Sequence, residues 1–174
     1  MSQVEQYIIS IPDFPESGIV FRDITSILRD ADGLKLAVDE MMKCLDDVEF
    51  DAVVGLESRG FLFGMPIAYN LHKAFIPVRK KGKLPRETIE AAYELEYSNA
   101  VIEVHKEDVK AGMRVVLIDD LIATGGTIKA AAGLLEQLGA IVIKIVCLIE
   151  LSDLNGREYL KNYAIDTVIS YEGE

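Results

Sequence analysis

The 174-residue sequence has only two cysteines, Cys44 and Cys147, with no CxxC spacing and each inside an apolar stretch. That excludes a disulfide framework and a cysteine-based zinc site, and it favours a reducing compartment. Histidine is equally sparse, and His72 and His105 fit no catalytic-triad or metal spacing. Both read as surface or hydrogen-bonded side chains. No apolar run reaches the ~18 residues of a membrane span. Residues 1–10 lack a basic segment followed by an apolar one, so no secretory signal is expected and the cytoplasm is the expected address. Positive charge is short as well: 18 Lys and Arg stand against 29 Asp and Glu, a net charge of −11. Such a chain has no general attraction for nucleic acid or an anionic membrane. A partner carrying phosphates must therefore be met by a local device. Internal repeats, low-complexity tracts and Gly/Ser linkers are absent too, which leaves one domain over residues 1–174 with a lead-in through residue 31.

What is present is an ordinary globular composition, 50% hydrophobic and 27% charged. A chain of this length buries roughly 70% of its unfolded surface and needs no covalent staples. After Asp32-Gly33, the residues Leu34, Ala37, Val38, Met41, Met42 and Leu45 fall at helical spacing. Ala52-Val53-Val54-Gly55-Leu56 is a continuous apolar run of the kind a strand buried on both faces shows. Residues 61–71 read as a helix in conflict with Pro66, and residues 75–78 as a strand. Residues 87–98 have no clean period, and residues 101–104 alternate weakly, which predicts a long loop flanked by a short strand. A strand at 115–118, a turn at 119–126, a helix at 127–138 and strands at 141–149 and 165–169 complete the pattern. Strands alternating with helices predict an α/β fold with a mostly parallel twisted sheet flanked by helices.

Open α/β sheets bind ligands beyond the carboxyl ends of their strands. The stretch Asp119-Asp120-Leu121-Ile122-Ala123-Thr124-Gly125-Gly126-Thr127 occupies such a position. Glycines let the backbone approach an anion, the helix start adds partial positive charge, and threonine hydroxyls donate hydrogen bonds. Thr124-Gly125-Gly126-Thr127, entering a helix, is therefore expected to form a phosphate cradle. Two adjacent aspartates cannot serve the same phosphate, but they suit ribose hydroxyls or a hydrated Mg²⁺. Neither GxxxxGK[ST] nor GxGxxG occurs in the chain. A second loop, Glu57-Ser58-Arg59-Gly60, follows the first buried strand, and five cations crowd residues 79–86 of a chain that is otherwise acidic.

Residues 115–127 resemble the phosphoribosyl pyrophosphate (PRPP) motif of the type I phosphoribosyltransferases. Further segments are similar to that family in order and spacing: Gly18-Ile19-Val20-Phe21-Arg22-Asp23-Ile24, Gly55-Leu56-Glu57-Ser58-Arg59-Gly60-Phe61, Arg79-Lys80-Lys81-Gly82-Lys83-Leu84-Pro85, Glu94-Leu95-Glu96-Tyr97 and Asn155-Gly156-Arg157-Glu158. The resemblance covers nearly the whole chain and points to members that use adenine. It implies an enzyme that joins PRPP and adenine into AMP and pyrophosphate. Ala123, Thr124, Gly125, Gly126 and Thr127 would hold the 5-phosphate, and Asp119 and Asp120 would face the ribose. Glu57, Ser58, Arg59, Arg79, Lys80 and Lys83 would meet the pyrophosphate. Val20, Phe21 and Arg22 would contact adenine, and Glu96 would take the base's proton. The resemblance further implies Mg²⁺ carried mainly by PRPP and water with no direct protein ligand, a flexible hood over about residues 79–100, and a homodimer. A sibling enzyme for another base and a non-catalytic PRPP-sensing regulator are the alternatives.

Overall fold

A computed structural model of the chain describes residues 2–95 and 98–172. In chain order the elements are β1 (Ile9–Pro12), β2 (Val20–Asp23), α1 (Thr25–Leu28), α2 (Ala31–Lys43), β3 (Ala52–Leu56), α3 (Arg59–Asn70) and β4 (Ala74–Lys80). There follow β5 (Thr88–Leu95), β6 (Ser98–His105), β7 (Arg114–Ile122), α4 (Gly126–Gln137), β8 (Ile141–Leu151), α5 (Gly156–Tyr159) and β9 (Ile165–Tyr171). One sheet has the order β5-β6-β4-β3-β7-β8-β9, and β1 and β2 form a separate antiparallel pair. Strands β4, β3, β7, β8 and β9 run parallel, whereas β5 and β6 are an antiparallel hairpin added to the edge at β4. No described helix is long and apolar enough to cross a membrane.

The apolar runs are continuous because helices cover both faces of the central strands. Successive side chains of a strand point to opposite faces. Ala52, Val54 and Leu56 of β3 pack with Ile128, Ala131 and Leu135 of α4 on one face. Val53 packs with Val38 and Met41 of α2 and Phe63 and Ile67 of α3 on the other. Cys147 of β8 is buried among these strands, aligned with Asp119 of β7. Helix α2 begins at Ala31, ahead of the expected Asp32-Gly33, because the Asp30 side chain accepts from the Asp32 and Gly33 amides. Helix α3 runs through Pro66. The bond it forgoes is the one to the carbonyl of Leu62, a residue on the exposed side of the helix.

Two sequence expectations are corrected. Asp119 and Asp120 do not lie in a turn; β7 continues through them to Ile122. Residues 87–98 and 101–104 do not form an irregular loop beside a short strand, because β5 and β6 pair from Thr88↔His105 to Leu95↔Ser98. Ile89, Ala91 and Tyr93 pack on the core while Glu90 is exposed, a period of two that the neighbouring alanines and acids disguise.

The chain leaves β3 towards β4 on one side and β7 towards β8 on the other, so the strand order reverses between β3 and β7. Open α/β sheets form their ligand crevice at such a switch point. The loops after β3 and β7 flank it.

Candidate active site

The loop after β7 turns into α4 at Gly125, which adopts φ +82°, a left-handed backbone that glycine takes without strain. The helix start then directs its free amides and partial positive charge at whatever sits above Thr124–Thr127. A second glycine holds this loop from behind. A Cβ on Gly156 would lie 2.1 Å from the Ala123 carbonyl oxygen, so α5 packs directly against the cradle. Helix α5 is anchored in turn by Arg157, whose Nε and NH2 donate to the Glu150 carboxylate at 3.0 and 2.6 Å and whose NH1 donates to the Ile165 carbonyl at 2.8 Å. Hydrogen bonding from Arg157 holds Glu150 below the usual carboxylate range. The Asn155-Gly156-Arg157-Glu158 segment thus buttresses the cradle.

Asp119 and Asp120 stand at the end of β7. Arg59 Nε, at the start of α3, lies 3.0 Å from Asp120 Oδ2 as an ion pair without hydrogen-bond alignment. The Asp120 amide donates to Asp119 Oδ1 at 2.9 Å. Gly60 makes this approach feasible, since a Cβ there would meet the Ile118 carbonyl oxygen at 2.7 Å and Asp119 Oδ1 at 3.0 Å. Burial, and then the neighbouring Asp120 charge, pushes the Asp119 carboxyl well above its ordinary range. Burial also raises Asp120, with Arg59 opposing. A carboxyl raised in the folded state adds stability at low pH that is lost as pH rises through its folded value. Asp119→Asn keeps an acceptor for the Asp120 amide and removes one of two crowded acids. The variant should therefore match or exceed the parent's Tm at neutral pH, by a margin that shrinks towards pH ~4, while losing PRPP turnover. Thermal melts across that range check it; a Tm deficit that grows with pH would contradict the sign.

The basic segment is less free than its composition implies. The Glu57 carboxylate accepts from Arg79 Nε and NH2, both at 3.2 Å, and from the Lys80 amide at 2.8 Å. Burial alone would raise Glu57, but the Lys80 amide and Arg79 hold it below its usual value. Lys81 pairs with Glu90, and Arg86 with Glu107 and Asp108. The His105 ring accepts from the Arg86 amide. Buried Glu103 accepts from the Lys83 and Leu84 amides at 2.9 and 2.8 Å and so fixes the turn that carries Lys83. Three of the five cations are committed to acids, and Lys80 and Lys83 have no acidic partner among the described residues. Glu57 orients Arg79 and the Lys80 backbone, a role that suits a carboxylate better than contact with an anion.

The two strand-end loops meet around a cavity of about 240 Å³ lined by Glu57, Ser58, Arg59, Asp119, Asp120 and residues 123–127. Tyr93 of β5 also lines it, a residue that the sequence did not single out. A neighbouring cavity of about 1060 Å³ joins Thr124 and Gly126 to Tyr93, Leu154, Asn155, Lys129 and Tyr159. Val20 and Arg22 border neither; they line a space of about 40 Å³ closed by Leu151, Leu154 and Tyr171. Leu154, common to the last two cavities, lies between Val20 and Arg22 on one side and Thr124 and Gly126 on the other. Phe21 lines none of the three, and its ring meets Phe14 edge-on at 5.2 Å. Arg79, Lys80 and Lys83 line none of these three cavities. Glu96 lies outside the described residues. Tyr93 and Leu154 could have been found only from the pairing of β5 and the course of the chain after β8, since neither stands in a chemically suggestive spacing.

Residues 25–172 match the family model of the phosphoribosyl transferase domain. An adenine phosphoribosyltransferase of Agathobacter rectalis is 62% identical over 174 residues, covering 100% of both chains. The chain belongs to the adenine phosphoribosyltransferase family. The solved adenine phosphoribosyltransferase of Thermoanaerobacter pseudethanolicus superposes with a TM-score of 0.94 at 48% identity, covering 97% of this chain and 98% of that one. A Saccharomyces cerevisiae adenine phosphoribosyltransferase, solved with an imino-altritol bisphosphate and adenine, has a TM-score of 0.90 at 39% identity, with 95% and 96% covered. This adenine phosphoribosyltransferase family member has the α/β fold that the alternation of strands and helices predicted. Residues 123–127 lie within the matched span, and β1 and β2 precede it.

Proposed function

We infer that the chain transfers the 5-phosphoribosyl group of PRPP to adenine, forming AMP and pyrophosphate in purine salvage. The observation that carries this reading is the cradle of residues 123–127 facing Glu57-Ser58-Arg59 across the switch point, in a chain 62% identical to an adenine phosphoribosyltransferase over its full length. In the reaction the bond from C1′ to pyrophosphate breaks, and a bond from C1′ to the base nitrogen forms as that nitrogen loses its proton. Amides and hydroxyls of residues 123–127 bind the 5-phosphate. Asp119 and Asp120 face the ribose. Arg59, with Lys80 and Lys83, balances the charge of the leaving pyrophosphate, to which the Ser58 hydroxyl donates. Val20, Phe21 and Arg22 supply the base side, and Glu96 accepts the proton.

Mg²⁺ fits this arrangement as a hydrated ion that neutralises pyrophosphate charge. Hard carboxylate oxygens are present at Asp119, yet no group of three His, Cys, Asp or Glu among the described residues could cage a metal. In this reading the ion would come mainly with PRPP and its own water, with Asp119 and Asp120 beside it. The domain spans residues 1–174, with residues 1–31 as the base-contacting lead-in and about 79–100 as the hood. The free thiols of Cys44 and Cys147 accord with a cytoplasmic enzyme.

A homodimer belongs to the same reading. Leu62, Met65 and Tyr69 form an apolar stripe on α3, exposed by 42%, 50% and 84%. Met65→Glu is expected to shift the protein from dimer to monomer in sedimentation velocity; an unchanged sedimentation coefficient would place the interface elsewhere.

The function is tested by pyrophosphate release with PRPP and each base in turn. A site that hydrogen-bonds an exocyclic amine leaves its polar groups unpaired against a 6-oxopurine, a penalty of ~10⁴-fold in kcat/KM. Adenine should exceed hypoxanthine by about that factor. Comparable values would indicate a sibling enzyme, and no release with any base would favour a PRPP-sensing regulator.

A further inference from the structure

The pair β1–β2 carries the base-side residues, yet it is not part of the main sheet. An isolated two-stranded hairpin is marginal in water, so its position must be set by contacts to the rest of the molecule. One anchor is Ser26, whose hydroxyl donates to the Tyr7 or Asp23 carbonyl and accepts from the Ile9 amide at 3.0 Å. That anchor fixes the ends of the hairpin. From its second strand Arg22 reaches the end of the main sheet, where its guanidinium carbon lies 4.0 Å from the centroid of the Tyr171 ring. Arg22 NH1 donates to Ser10 Oγ at 2.5 Å, from the residue paired with it across the hairpin. Arg22 Nε is buried without a hydrogen-bond partner among the described residues.

Tyr171 is itself well placed to hold a neighbour. It is the last residue of β9, in register with Leu151 of β8. Its carbonyl accepts from Ser152 Oγ at 2.9 Å, at the start of the turn that carries Leu154. Leu154, Val20, Arg22 and Tyr171 then line one small cavity. Three segments distant in sequence converge there, and the aromatic ring of Tyr171 is the surface on which Arg22 rests.

We propose that Tyr171 is a positioning residue for base binding: its ring holds the Arg22 guanidinium by a cation–π contact and so docks residues 20–22 against the end of the sheet beside Leu154. The ring face attracts the guanidinium electrostatically, and the flat side of Arg22 stacks on it. No contact of Tyr171 itself with a substrate is required.

The proposal rests on the adenine reading, and steady-state kinetics with both substrates varied separate the two. Parent enzyme that releases no pyrophosphate from PRPP with adenine would overturn that reading. With an active parent, the comparison of Tyr171→Leu and Tyr171→Phe tests the inference. Tyr171→Leu keeps apolar bulk but has no ring face, so KM for adenine should rise by about three- to thirty-fold. KM for PRPP should stay within about twofold, and Tyr171→Phe should recover most of the adenine affinity because it keeps a ring. Unchanged adenine KM in Tyr171→Leu would overturn the proposal. So would parallel rises in both KM values, which mark a general structural role. Failure of Tyr171→Phe to rescue would show that the hydroxyl, and not the ring face, does the holding, and would also overturn it. Should Tyr171→Leu not fold, Ser10→Ala loosens the same guanidinium from its other side and carries the same expected split between the substrates.

Discussion

Gly156→Ala is expected to cost at least ~100-fold in kcat/KM for PRPP, although in a helix alanine is ordinarily preferred to glycine by about 1 kcal/mol. The added methyl carbon would stand 2.1 Å from the Ala123 carbonyl oxygen, where no atom fits. Either α5 or the cradle loop must move. Because α5 is tied down by Arg157 to Glu150 and to the Ile165 carbonyl, the loop is the part that yields. Phosphate-binding amides displaced by ~1 Å lose on the order of 10² in rate, since positioning is their whole contribution. KM for PRPP and Tm measured together check the claim. Gly133→Ala, in the middle of α4 with nothing within 4 Å of its new carbon, is the control. It should keep its activity and gain up to about 1 kcal/mol. Equal behaviour of the two variants would mean that the Gly156 contact relaxes without reaching the cradle.

The other large effect concerns Glu96. Glu96→Gln preserves shape and hydrogen bonding but cannot accept the proton that adenine sheds as it bonds to C1′. General base catalysis contributes ~10²–10⁴-fold, and kcat should fall by that range with PRPP binding nearly intact. Glu94→Gln is the comparison, two residues away in the same segment. A crippled Glu94→Gln, or a Glu96→Gln that keeps most of its kcat, would move the proton-transfer role to another group.

Much of this fold can be read from the chain because its strongest signals are physical necessities. Strands β3 and β7 are buried on both faces, so Ala52–Leu56 and residues 115–118 had to be continuously apolar. The cradle is legible for a similar reason: Thr124-Gly125-Gly126-Thr127 combines a left-handed turn with a helix start, and few side chains tolerate both. Legibility ended where tertiary contacts override local preference. Two adjacent acids look like a turn, yet Asp119 and Asp120 continue a buried strand, since Arg59 pairs with one and Gly60 leaves room for the other. The β5–β6 hairpin was hidden by alanines that pack without strong hydropathy. The commitment of Arg79 to Glu57 could not be foreseen at all, because its partner is 22 residues away, in the loop after a different strand. The role of Gly156 is invisible for the same reason, as it depends on a carbonyl 33 positions earlier.

The alignment of Cys147 with Asp119 has a redox consequence. A thiol becomes a nucleophile, and a target for peroxide or alkylating agents, only as its thiolate. Burial, followed by the charges of Asp119 and Asp120, pushes the Cys147 thiol well above its ordinary value. The two acids at the end of β7 therefore add to burial in keeping the adjacent sulfur protonated, most strongly when they are ionised. Burial likewise raises half-buried Cys44. Both thiols of this chain are thus biased towards the protonated form, the less reactive one towards oxidants.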